Sequence, residues 1–213
     1  MKTQFKKPIF ISVINHNETP NNRSIRIVNE WYSQVERNFD SEVIDTAVMN
    51  ADTFCTTVVE LTRDRPSVGM YFCLHGTHET SQEHPDGQEF LLLNSQTKIS
   101  DDDFTSFISA LPVSHLYLYF EVCHSGGLLN TLVCDSSTIP TDHSFLLFTA
   151  CSKDQKCWTK FHRIPYAETY CIGETSSWLQ KYHLNPFIQP DKCYMALRQN
   201  LSHLQPKYII LRN

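Results

Sequence analysis

The chain has 213 residues, 41% of them hydrophobic, enough to bury a sizeable core within the usual size of a single domain spanning residues 1–213. Its formal net charge of -5, pI near 6.0 and lack of any Lys/Arg block argue against a nucleic-acid protein, because nothing could neutralise a run of phosphates. The eight cysteines are too irregularly spaced for the disulfide framework of a small secreted domain and read as reduced thiols.

Met1 to Lys7 runs into Pro8 with no apolar core and cleavage site of a signal peptide behind it. No apolar run reaches the roughly 18 to 20 residues needed to span a bilayer. A soluble, cytoplasmic protein with no membrane or nucleic-acid partner is the expectation.

Ile9 to Ile14 reads as a first strand, and Arg23 to Phe39 as a helix with Ile27, Trp31, Val35 and Phe39 on one face. Glu42 to Val48 is predicted as a second strand and Thr53 to Leu61 as a second helix. Pro66 breaks the chain before an apolar strand, Val68 to Leu74, which ends at His75-Gly76. Residues 77–87 read as a polar, solvated loop, and Glu89 to Leu93 as a hairpin strand. Ser100 can cap a helix that runs through Leu111 to a stop at Pro112.

His115 to Val122 is the most apolar stretch and is assigned to the centre of a sheet; it terminates at Cys123-His124-Ser125-Gly126-Gly127, with a short helix expected around Leu128 to Val133. Ser144 to Thr149 is a further strand, ending at Ala150-Cys151. Thr169 to Tyr182 reads as helical and Tyr208 to Leu211 as a last strand. Short apolar runs alternating with amphipathic segments predict an α/β fold with a mostly parallel sheet flanked by helices.

Three of these strands end in polar residues: His75-Gly76, Cys123-His124-Ser125-Gly126, and Cys151-Ser152-Lys153-Asp154-Gln155. In open α/β sheets the carboxyl edge is where sites form, so parallel neighbours would gather a thiol, an imidazole and a polar loop suited to nucleophilic catalysis. Backbone N–H groups and a helix start beyond Cys123 would lower its pKa and could stabilise an oxyanion.

His75-Gly76-Thr77, Glu121-Val122-Cys123-His124-Ser125-Gly126 and Cys151-x-x-Asp154-Gln155, each after a strand, resemble metacaspases, with caspases and legumain as more distant relatives. The separation between His75 and Cys123 agrees with the caspase pattern of a histidine about 50 residues before the cysteine, although the local caspase signature is absent. Asp86-Gly87-x-Glu89 followed by Ile99-Ser100-Asp101-Asp102 is also similar to the metacaspase linking segment, so the resemblance covers roughly residues 8–158.

The resemblance implies a three-layer caspase-like fold and a cysteine endopeptidase acting through a thioester on a protein or peptide substrate. Cys123 would attack the scissile carbonyl, His75 would protonate the leaving amine, and the N–H groups of Gly76 and Cys123 would form the oxyanion hole. No cofactor is required, although calcium-dependent relatives use acidic residues in the segment holding Asp101 and Asp102. These carboxylates could bind Ca2+ or could simply favour a helix N-terminus.

On a strand, residues two apart share a face, so Glu121 should project beside Cys123. A buried carboxylate there wants a cation, which predicts Arg or Lys at P1, with Asp154 as a second acidic candidate. Metacaspases carry Asp at the position of Glu121 and prefer basic P1 residues; legumain carries Glu and prefers Asn. Lys153, Lys156 and Lys160 would then make a self-cleavage segment.

His78 is the fallback base, Cys151 and Cys157 read as core or loop thiols, and His124 and Ser125 as shapers of the turn. Zinc is disfavoured because no Cys-x-x-Cys pair exists and His-x-x-His alone lacks the metalloprotease pattern. The rival from another class is a caspase-like binding or adaptor module without turnover, to which the unusual Lys156-Cys157-Trp158 would lend itself.

Overall fold

The structure, a computed structural model, describes residues 6–128, 144–153, 155–157, 159–163, 169–201, 203 and 206–212. Its centre is a six-stranded sheet made of β1 (Ile9–Ile14), β2 (Asp40–Asp45), β3 (Ser67–Cys73), β7 (His115–Phe120), β8 (Ser144–Thr149) and β11 (Lys207–Arg212). The spatial order is β11-β8-β7-β3-β1-β2; the first five strands in chain order run parallel, and β11 closes one edge antiparallel to β8.

Side-chain alternation divides the core into two layers. Ile9, Ile11, Val13, Val68, Met70, Phe72, Leu118, Phe120 and Leu147 face one side, where they meet Phe54 and Val58 of helix α2 (Ala51–Thr62) and Phe104 and Ile108 of α3 (Asp101–Ser109). Phe10, Tyr71, Tyr119 and Phe148 face the other side, against Ile27, Val28, Trp31 and Tyr32 of α1 (Ser24–Tyr32), Leu179 of α4 (Glu174–Lys181) and Leu197 of α5 (Pro190–Asn200). Helices therefore cover both faces, giving the three layers expected from the sequence, and β7 is buried at the centre because its neighbours on both sides are parallel strands.

Several boundaries differ from the expectation. Helix α1 stops at Tyr32, yet Val35 and Phe39 still pack on the core, Phe39 edge-on to Tyr32 with ring centroids 5.0 Å apart, so the apolar period outlasts the helix. The segment expected to be a polar loop begins as a strand: β4 (His75–Glu79) pairs with β5 (Gln88–Leu92), which pairs with β6 (Lys98–Ser100), in a separate antiparallel ribbon. Thr169 to Gly173 is not helical; it is strand β10 (Thr169–Gly173), paired with β9 (Thr159–Arg163), and only then does α4 start. The helix expected at Leu128 to Val133 lies almost wholly outside the described residues; before it the chain makes a short 3-10 turn, Ser125–Gly127.

No helix among the described residues is long and apolar enough to cross a membrane.

Candidate active site

The carboxyl ends of β1, β3, β7 and β8 meet at one edge of the sheet. β3 ends at Cys73 and the chain turns through Leu74 into β4, whose first residue is His75. β7 ends at Phe120, and the Glu121 N–H still donates to the Phe72 carbonyl at 2.9 Å, holding the outgoing chain against the end of β3. Two residues later comes Cys123.

Gly76 joins these two strand ends. A Cβ built on it would lie 2.1 Å from the carbonyl oxygen of Cys123 and 2.8 Å from Val122 Cγ1, so no larger residue fits without moving the backbone. His75 and Cys123 are thus fixed beside each other by backbone packing. Among the described residues the imidazole and the thiol do not hydrogen-bond to one another: Cys123 Sγ donates to the Cys157 carbonyl at 3.4 Å, and His75 Nε2 lies 3.1 Å from Glu18 Oε2.

Burial pushes the Cys123 thiol up from its ordinary value, outweighing the opposing effects of the Cys157 backbone, the Lys156 charge and the cysteine's own backbone. This corrects the expectation of a lowered pKa. The turn after Cys123 is three residues of 3-10 helix whose axis supplies little dipole, whereas desolvation acts on the whole thiolate. The shift favours the neutral thiol over the thiolate.

His124 has a left-handed backbone, φ 58°, and is tied down twice: its N–H donates to the Gln155 carbonyl at 2.8 Å, and its Nδ1 donates to the Lys153 carbonyl at 2.6 Å. Its ring stacks on His78, centroids 6.4 Å apart. His78 in turn contacts Glu89 at 3.3 Å, with Gly87 and Gly127 giving room for the two side chains. His124 thereby aims the turn, and His78 is engaged with Glu89.

Glu121 is buried, on the face of the sheet that carries Tyr71 and Tyr119. Its carboxylate accepts hydrogen bonds from Tyr71 Oη at 2.8 Å, the Ser176 N–H at 2.9 Å and Ser176 Oγ at 2.6 Å. Gly173 makes way for it: a Cβ there would sit 1.8 Å from Glu121 Cδ. Burial raises the carboxyl pKa, and the hydrogen bonds from Ser176, Tyr71 and the Thr175 backbone oppose the rise. The premise that this carboxylate stands bare until a basic substrate arrives is therefore corrected, because the first turn of α4 and Tyr71 supply neutral donors. Cys157 is the shared neighbour of Glu121 and Cys123, and burial together with the charge on Glu121 raises its thiol pKa far above normal.

Asp154 lies outside the described residues, as does Trp158. Asp101, Asp102 and Asp103 form the first turn of α3. Asp101 accepts from Thr105 Oγ1 at 3.4 Å, Asp102 from Gln88 Nε2 at 3.3 Å, and Asp103 from the Ser100 hydroxyl at 2.6 Å, while Ser100 caps the helix. Among the described residues no group of three or more potential metal ligands converges.

Glu18 and Ser176 escape the sequence pattern, and Lys156, read there as a self-cleavage site, also acts on the Cys123 thiol. Glu18 was within reach, since the Asn15 to Arg23 loop leaves β1 at the same sheet edge; Ser176 was not, because its segment was read as mid-helix.

No protein family matches the sequence, and no curated protein matches it. Solved structures do resemble it. A protein of Geobacter sulfurreducens superposes with a TM-score of 0.62 at 12% identity, covering 98% of this chain and 94% of the other. Caspase-1 of Spodoptera frugiperda superposes at 0.52 and 12% identity, covering 99% and 90%. The chain has a caspase-like fold.

Proposed function

We propose that this chain is a cysteine endopeptidase in which Cys123 and His75 form the catalytic dyad. The observation that supports it most is the Gly76 contact, which presses the backbone after the histidine onto the backbone of the cysteine at the carboxyl edge of a caspase-like sheet. Because Cys123 is held as a thiol, attack and deprotonation are coupled: its proton passes to His75 as Sγ bonds to the scissile carbonyl carbon. The resulting oxyanion is met by the N–H groups of Gly76 and Cys123. Collapse breaks the C–N bond while His75 protonates the leaving amine. Water then attacks the thioester, His75 taking its proton, and the acid and thiol are released.

For specificity we propose a basic P1 residue. Glu121 is satisfied by neutral donors, so no cation offsets its charge among its hydrogen-bond partners, and a guanidinium or ammonium brought near it relieves the cost of its burial. Asp154 remains the second acidic candidate for P1, from its place in the sequence after β8. Exposed Lys153 and Lys156, with Lys160, then become sites of self-cleavage in the segment flanking Cys123. Calcium stimulation is a separate proposal, read from rates with and without the ion.

The second reading, a caspase-like adaptor without turnover, draws on the raised thiol and the internally satisfied Glu121. Fluorogenic peptides with Arg, Lys, Asn or Asp at P1, with and without Ca2+, decide between them. Cleavage after Arg or Lys that is absent in Cys123→Ala supports the peptidase. Cleavage after Asn keeps the dyad and discards the basic pocket in favour of a legumain-like specificity, and no cleavage by folded protein favours the adaptor.

A further inference from the structure

The Cys–His pair accounts for nucleophile and base but leaves open what orients the imidazole. His75 is more than half exposed, its side chain at 59% of full accessibility, so packing alone does not hold the ring. What it touches is Glu18, whose Oε2 lies 3.1 Å from Nε2.

The loop that carries Glu18 is not a free surface segment. Asn15, buried at the end of β1, is its hub: the Asn15 carbonyl accepts the N–H of Glu18 at 3.0 Å, the N–H of Thr19 at 2.8 Å and the Thr19 hydroxyl at 2.9 Å. Asn15 Oδ1 accepts the Asn17 N–H at 3.1 Å. Its Nδ2 donates to the Leu93 carbonyl at 3.3 Å, and Leu93 directly follows Leu92, the residue paired with His75 in the β4–β5 ribbon. The backbone of Glu18 is therefore referenced to that of His75 through one side chain.

We propose that Glu18 is a positioning residue for His75, making a Cys123–His75–Glu18 relay; this rests on the dyad reading above. With Nε2–H donated to the carboxylate, the tautomer is set and Nδ1 is the nitrogen left to take the Cys123 proton. Once that proton has moved, the carboxylate faces an imidazolium, so its charge counts most at the step where thiolate and imidazolium form. Of the two other histidines nearby, His78 contacts Glu89 and the His124 Nδ1 donates to the Lys153 carbonyl; only His75 precedes the glycine whose backbone abuts that of Cys123.

The test uses the full chain and two readouts. Glu18→Gln keeps the size and an acceptor oxygen but removes the charge; Glu18→Ala removes both. Alkylation of Cys123 by iodoacetamide, quantified on its own peptide by mass spectrometry from about pH 5 to about pH 9, reports the thiolate without requiring a substrate. Peptide turnover reports catalysis. Because the pair is partly solvated, Glu18→Gln should slow Cys123 alkylation near neutral pH by about fivefold and lower kcat by a similar factor with KM unchanged, Glu18→Ala losing at least as much. If His75→Ala slows alkylation while both Glu18 variants match the wild type, the relay is overturned and the dyad survives. If His75→Ala leaves the alkylation profile unchanged, the dyad reading itself fails, and the relay with it.

Discussion

β7 and β8 are parallel neighbours, and each delivers a cysteine just beyond its carboxyl end, Cys123 and Cys151. Burial raises both thiols. Cys151 is fully buried and donates to the Val122 and Gln155 carbonyls at 3.3 and 3.4 Å, so it pins the end of β8 to the turn after β7. Cys123 is only partly covered, has the Lys156 charge acting on it, and sits where Gly76 brings in the histidine strand. Strand position supplies a thiol in both cases. Access and an adjoining base separate a candidate nucleophile from a structural one.

The sharpest break of this contrast exchanges the two thiols for alanine one at a time. Cys123→Ala should abolish peptide turnover, about a thousandfold or more, whereas Cys151→Ala should keep it within about threefold. Equal losses would erase the distinction. Next in size is Gly76→Ala, whose new Cβ must displace the Cys123 carbonyl 2.1 Å away; kcat/KM should fall about a hundredfold, as when an oxyanion donor is misplaced. Full activity in that variant would mean that the β4 and β7 ends need not touch.

Stability changes are smaller. Tyr71→Phe takes one donor from Glu121 and should cost about 1–3 kcal/mol in urea unfolding. The sign with pH follows from the raised carboxyl: the folded state binds the Glu121 proton more tightly than the unfolded chain, so this group's contribution is fully present below the ordinary carboxylate range and lost as pH rises through its raised folded value. Losing a donor that favours the charged form should make the Tyr71→Phe penalty larger at neutral pH than at acid pH, and a penalty independent of pH would show that Glu121 is not its source. Smallest is the stability cost of Cys151→Ala, about 1 kcal/mol for the removed sulfur and its small cavity, again read by urea unfolding.

Legibility from sequence tracked how local each interaction is. β1, β7 and β8 are largely apolar runs, because an interior strand with helices packed on both faces of the sheet has no solvated face to interrupt it, and the sequence places them within two residues. β4 was hidden, since His75-Gly76-Thr77-His78-Glu79 has a polar composition and becomes a strand only through the backbone of β5. Thr169 to Gly173 failed for the same reason, its partner β9 being a strand that local pattern did not reveal. At the site, the position of Glu121 near the end of β7 is legible, but its donors come from Ser176, 55 residues away, and Tyr71, 50 residues away.

What the sequence by itself determined is the α/β class, the mostly parallel sheet and the three strand ends that carry His75, Cys123 and Cys151, because hydrophobic period and turn chemistry are properties of neighbouring residues. Only the tertiary structure decided that Gly76 abuts Cys123, that desolvation outweighs the turn at the thiol, that Glu121 is satisfied from α4, and that Glu18 meets His75. Each of these depends on the distance between residues far apart in the chain and on how much water the packed elements exclude, quantities that no local pattern encodes.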